Sequence, residues 1–220
     1  MTNISLEEIQ AYLKGKSIAI VGSGSCIDSH DIVIRINNAF RNSTWQSDKY
    51  QKYVGTRTDI YIANGDTNNK RKWAIRAKQV GVKYTLRLNP GAHGSSNLSP
   101  LQNQLLKEVK NVYMAWEFKP TLTKLESEFG GRPASGAILI KWLTSCIKYK
   151  SISLYGFDFF EEFNSLPSKW GEPVGGKLKF GKQNRYWNKF QCSWRGVHNP
   201  TAEKKWFEKN INKYNIKHNI

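Results

Sequence analysis

The feature that most constrains this chain is a short apolar run, Ile18 to Val21, that breaks directly into Gly22-Ser23-Gly24-Ser25. A compact β-rich run closed by glycines reads as a buried strand ending in a tight turn. Strand then glycine-rich loop is the entry of a nucleotide-binding α/β domain. Ahead of it, Ser5, then Glu7 and Glu8, then Ile9, Tyr12 and Leu13, and finally Gly15 spell a short capped amphipathic helix. Further β-rich runs follow at Ile32 to Ile36, Asp59 to Ala63, Val82 to Leu88, Val112 to Ala115 and Ile152 to Phe157, mostly separated by stretches of helical character. Strand alternating with helix predicts an α/β fold around a mainly parallel sheet.

The clearest helix is predicted from about Ser135 to Ile147, with Ile138, Leu139, Trp142, Leu143 and Cys146 at helical spacing. It follows Pro133 and feeds the strand that ends at Gly156. Between Phe160 and Arg185 the sequence turns rich in Gly, Pro and Lys without periodicity, which predicts a functional lid. Beyond it come Tyr186, Trp187, Phe190 and Trp194, then His198-Asn199-Pro200, where Asn199 is placed to cap a helix opened by Pro200. With no linker or repeat in 220 residues, the expectation is one domain over 1–220.

Hydrophobic residues at 39% exclude a disordered chain, and a net charge of +17 favours anionic partners: phosphates, acidic sugars or an anionic membrane surface. Cys26, Cys146 and Cys192 carry neither disulfide-scaffold nor zinc spacing, so a reducing cytoplasm is expected. The polar start MTNISLEEIQ does not read as a signal peptide, and no apolar run approaches a membrane span.

Glycines after a first strand let backbone N–H groups approach a phosphate. The dinucleotide fingerprint needs a third glycine where Ile27 stands, which argues against a nicotinamide or flavin enzyme. Three histidines invite functional readings. His198 stands just before a helix and His93 in the loop Pro90 to Asn97. His30 stands between Asp28 and Asp31, where carboxylates satisfying turn amides are the simpler reading and a metal site the less supported one. Ser135 and Gly136 open the central helix, where an N-cap role and a nucleotide-binding role are compatible.

From Ile18 to Asn37 the chain resembles the large sialylmotif of the eukaryotic-type sialyltransferases. Val21-Gly22, then Asp28-Ser29-His30-Asp31, then Arg35-Ile36-Asn37 reproduce that motif's order. Val54-Gly55-Thr56-Arg57-Thr58 resembles the family's Val-Gly-x-x-Thr segment. Pro133-Ala134-Ser135-Gly136 followed by a helix and Leu154-Tyr155-Gly156-Phe157 is similar to the small sialylmotif. Tyr186-Trp187-Asn188-Lys189-Phe190 resembles the short aromatic motif, and His198 with Glu203 the very short one.

The resemblance implies a Rossmann-like α/β domain of the GT-A-variant type. It also implies a metal-independent, cofactor-free, inverting transfer from a CMP-activated sugar to a hydroxyl of a glycan or glycolipid acceptor. His198 would be the general base. Gly22, Ser23, Gly24, Asn37, Ser135, Gly136, Tyr186 and Trp187 would surround the nucleotide, and Glu203 and His30 would stand behind them. The donor is a sialic acid, another nonulosonic acid or Kdo; a lipooligosaccharide or capsule acceptor would suit the basic surface. The chain departs from the family at Ser23, where familiar members carry Asn. It departs again at Ile18, which leaves Cys146 without the family's bridging cysteine. The family's N-terminal anchor has no counterpart either, which points to a bacterial or viral version working in the cytoplasm. The alternatives are an inactive member that only binds and a basic nucleic-acid-binding protein, the latter predicting salt-sensitive binding and indifference to CMP.

Overall fold

The computed structural model describes residues 4–21, 29–36, 57–62, 81–88, 111–155 and 199–219. Helix α1 (Leu6–Leu13) starts where Ser5 Oγ accepts from the Glu8 amide and leads into β1 (Ser17–Val21). Strands β2 (Ile32–Ile36), β3 (Ile60–Ile62), β4 (Tyr84–Arg87) and β5 (Val112–Met114) follow. A 3-10 turn (Trp116–Phe118) then precedes α2 (Lys119–Phe129), which ends on Gly130 at φ 62°, a left-handed conformation that costs glycine little. Helix α3 (Ser135–Cys146), strand β6 (Ser151–Tyr155), helix α4 (Pro200–Asn210) and strand β7 (Ile216–Asn219) complete the described elements.

The seven strands form one sheet in the order β5-β4-β3-β2-β1-β6-β7, and every pairing is parallel. The chain steps outward from β1 to β5, then returns to lay β6 on the other flank of β1. This doubly wound, Rossmann-like order confirms the expected α/β class, and it puts the topological switch point between β1 and β6. Sequence placed six of the seven strands, to within a residue or two at their ends. It did not single out β7 or helix α2.

The strands are buried on both faces, which is why they read as continuous apolar runs rather than alternating ones. Ile18, Ile20, Ile32, Ile34, Ile60, Ile62, Ile152 and Leu154 face the larger core, where they meet Ile9 and Leu13 of α1, Leu139 and Trp142 of α3, and Phe207 of α4. Their neighbours in sequence, Ala19, Val21, Val33 and Tyr155, form a second cluster on the opposite face. The second face also carries buried polar residues. Arg35 is 3% exposed, and its Nε donates to the Thr58 hydroxyl at 2.9 Å and to the Arg57 carbonyl at 3.2 Å.

Candidate functional site

In an open parallel sheet, ligands bind beyond the carboxyl ends of the strands at the switch point. Here those ends are Val21 and Tyr155, direct register partners of β1 and β6. Tyr155 is 8% exposed, and its ring meets that of His30 edge-on with centroids 5.7 Å apart. The His30 carbonyl accepts from Arg57 Nη1 at 2.7 Å, while its Nδ1 is buried with no partner among the described residues.

Asp31 does what the sequence suggested, with a different partner. Its carboxylate accepts from both the amide and the hydroxyl of Ser17, each at 2.8 Å, so it joins the starts of β1 and β2. Those bonds, the backbone one foremost, hold the Asp31 carboxyl below its ordinary range. Asp59 repeats the device one strand further on, accepting from the Val33 amide at 2.8 Å and pairing with Arg57 Nε at 2.9 Å. Arg57 also donates to the carbonyls of His30 and Asp31. The Asp31–Arg57–Asp59 cluster thus sits at the amino ends of the strands and serves the fold. Among the described residues no group of three or more His, Cys, Asp or Glu could hold a metal ion.

The carboxyl edge is furnished by helix starts. Helix α4 is joined to β7 by a short turn and packs Phe207 against His218 at 5.4 Å, so it runs against the strand and leaves its N-terminus at the opposite edge. Asn199 caps α4 as expected, its Oδ1 accepting from the Ala202 amide at 3.1 Å. Its Nδ2 meanwhile donates to the Phe129 carbonyl at the end of α2, at 2.8 Å.

Glu203 stands in the first turn of α4, where a carboxylate could simply serve its own helix. Instead it is 4% exposed and reaches α3, accepting from the Ala134 amide at 2.9 Å. Burial pushes its carboxyl up to about 7, against the lowering effect of that amide. The start of α3 also differs from expectation by one residue. Ala134, not Ser135, is the N-cap, so no side chain caps the helix and Ser135 and Gly136 lie half-buried in its first turn. An alanine cap leaves the first amides of a helix without the acceptor that Ser, Asp or Asn would supply.

Ser135, Gly136 and Glu203 are therefore brought together, and His30 stands apart from them, its backbone at the amino end of β2 and its ring against Tyr155. His198, Gly22, Ser23, Gly24, Asn37, Tyr186 and Trp187 lie outside the described residues, as do Asp28, His93, Cys26, Cys192 and the 160–185 segment. Sequence reasoning gave Ala134 and Tyr155 no site role. Nothing in a lone alanine signals a cap, and Tyr155 gains meaning only from its register with Val21.

Residues 15–89 match the family model described as glycosyltransferase family 29 (sialyltransferase), a span that contains β1 to β4. No curated protein sequence matches the chain. Among solved structures, a mammalian sialyltransferase in complex with Gal-beta-1-3GalNAc-ortho-nitrophenol is similar at 15% identity and TM-score 0.49, over 99% of this chain and 74% of that one. The monofunctional alpha-2,3-sialyltransferase Cst-I of Campylobacter jejuni is similar at 18% identity and TM-score 0.45, over 73% of this chain and 60% of that one. Residues 15–89, which carry four strands of the doubly wound parallel sheet, are thus similar to glycosyltransferase family 29.

Proposed function

We propose that this chain is an inverting glycosyltransferase that moves a sialic-acid-type sugar from its CMP donor to a hydroxyl of a glycan acceptor, without metal or cofactor. The observation that carries the reading is the family match over the strands that build one side of the β1/β6 switch point. The start of α3 supports it, because a helix N-terminus directs backbone N–H groups and the positive end of its dipole toward a phosphate.

In the proposed step the acceptor oxygen attacks the anomeric carbon and its proton passes to His198. The bond from that carbon to the CMP phosphate oxygen breaks, and CMP leaves with the electron pair. Neutral imidazole is the right base for this at physiological pH. The charge growing on the phosphate is met by N–H groups of the Gly22-Ser23-Gly24 turn and of α3 at Ser135 and Gly136, with Asn37 and Tyr186 as side-chain donors and Trp187 as a wall.

The test is a transfer assay with CMP-sialic acid and CMP-Kdo, each offered with a panel of glycans, alongside the effect of CMP on Tm. Turnover with one donor establishes the reaction and the sugar class. His198→Ala is expected to abolish turnover while CMP still raises Tm. No turnover and no CMP effect would overturn the reading and favour the nucleic-acid alternative.

An anionic membrane as the acceptor's setting, reached from the cytoplasm, belongs to the same proposal. Its support is a basic patch where two turns interlock, the Gly15 amide bonding the Lys148 carbonyl and the Lys150 amide the Lys16 carbonyl. Lys14, Lys16, Lys148 and Lys150 all expose their side chains there. Reversing those four charges should release the protein from vesicles containing anionic lipid in a sedimentation assay; unchanged sedimentation would sink the membrane contact.

A further inference from the structure

A helix that opens in a capping box satisfies two donors reciprocally: the N-cap side chain accepts from the N3 amide, and a Glu or Gln at N3 accepts from the N-cap amide. Helix α3 has neither half of its own, since Ala134 stands at the N-cap and Ala137 at N3. The second half is supplied from another helix, by Glu203 of α4, 69 residues away, accepting from the Ala134 amide at 2.9 Å. The apolar contacts that bring these helices together, among Leu125, Phe129, Ala137 and Trp206, hold them close without fixing their register, because hydrophobic attraction is non-directional. A hydrogen bond from one backbone amide to a buried carboxyl oxygen is directional. It fixes the start of α3 against the first turn of α4, whose own start Asn199 ties to the end of α2 at the Phe129 carbonyl.

We infer that Glu203 is a positioning residue, the borrowed half of α3's capping box, which sets the N-terminus of α3 in register with the N-terminus of α4 so that leaving group and base are held in one geometry. This rests on the proposed reading of Ser135 and Gly136 as phosphate-binding and of His198, which directly precedes Asn199 in sequence, as the base. Glu203 takes no part in the bonds that form or break.

The test compares Glu203→Gln, which keeps an acceptor oxygen, with Glu203→Met, which keeps the volume and removes the acceptor. Kinetic constants are taken with the CMP-sugar, normalised to folded protein, and CMP binding is measured directly. Glu203→Gln is expected to keep wild-type kcat. Glu203→Met is expected to lose about 100-fold in kcat, the scale of a small misplacement of reacting groups, with CMP affinity little changed. If wild type turns over and Glu203→Met keeps its kcat per folded molecule, the positioning role is wrong and the transferase reading stands. A Gln variant that fails as badly as Met also overturns it, since the carboxylate's charge and not the borrowed bond would then matter. A wild-type chain with neither turnover nor CMP binding overturns the transferase reading, and this inference with it.

Discussion

Glu203 also sets a pH dependence that can be read without any substrate. Its carboxyl titrates at about 7 in the folded chain against about 4.5 for an ordinary one, because burial penalises the charged form. Between those values the folded state holds a proton that the unfolded state has released, so stability falls as pH rises. The contribution is complete below about 4.5 and is lost as pH passes through about 7, and the whole effect amounts to about 3 kcal/mol. Glu203→Gln carries no such titration. Its Tm should match wild type near pH 5 and exceed it near pH 8; equal Tm values at both would mean the carboxyl is not buried as described. The sequence marked Glu203 as a site residue, with a carboxylate serving the first turn of its own helix as the simpler reading. A first-turn carboxylate always has that local explanation available, and its actual partner lies on an element far away in sequence.

At the scale of elements, several starts and entries of helices and strands are secured by single side chains. Asn199 accepts from the Ala202 amide and donates to the Phe129 carbonyl. Asn199→Asp keeps the cap and loses the donor; Asn199→Ala loses both. Chemical denaturation should therefore rank wild type above Asp and Asp above Ala, with the Ala variant about 2 kcal/mol down. The two outer strands are entered by a common device. Asn111 and Asn215, at φ 58° and 47°, directly precede β5 and β7, and their side-chain amides bond the carbonyls of Lys83 and Lys150, which lead into the neighbouring strands. The left-handed conformation is one asparagine tolerates better than most residues. Helix α1, helix α3 and the Asn199 cap were legible because each is written in local pattern: spacing of apolar residues, a capping residue, a proline at the first turn. Strand β7 was not, since Ile216-Lys217-His218-Asn219 carries one apolar residue and becomes a strand by pairing with β6.

Across the whole molecule, one layer of helices shares the Ile-rich face of the sheet, and Trp142 of α3 is its largest wholly buried side chain. Its ring lies 5.8 Å from that of Tyr113 in the edge strand β5, although α3 feeds β6 on the other flank of β1. Trp142→Ala should cost about 3–5 kcal/mol in the denaturation midpoint, and a loss below about 1 kcal/mol would show that α3 does not seat there. What the sequence by itself determined is what local physics writes: buried parallel strands as continuous apolar runs, helices as amphipathic spacing, and a family likeness carried by residues close together in the chain. Tertiary structure alone decided the strand order that puts the switch point between β1 and β6, the register that pairs Val21 with Tyr155, and the bond by which Glu203 completes the start of α3. Each of these joins residues far apart in sequence. Burial and directional hydrogen bonding act on distance in space, and a linear pattern does not record it.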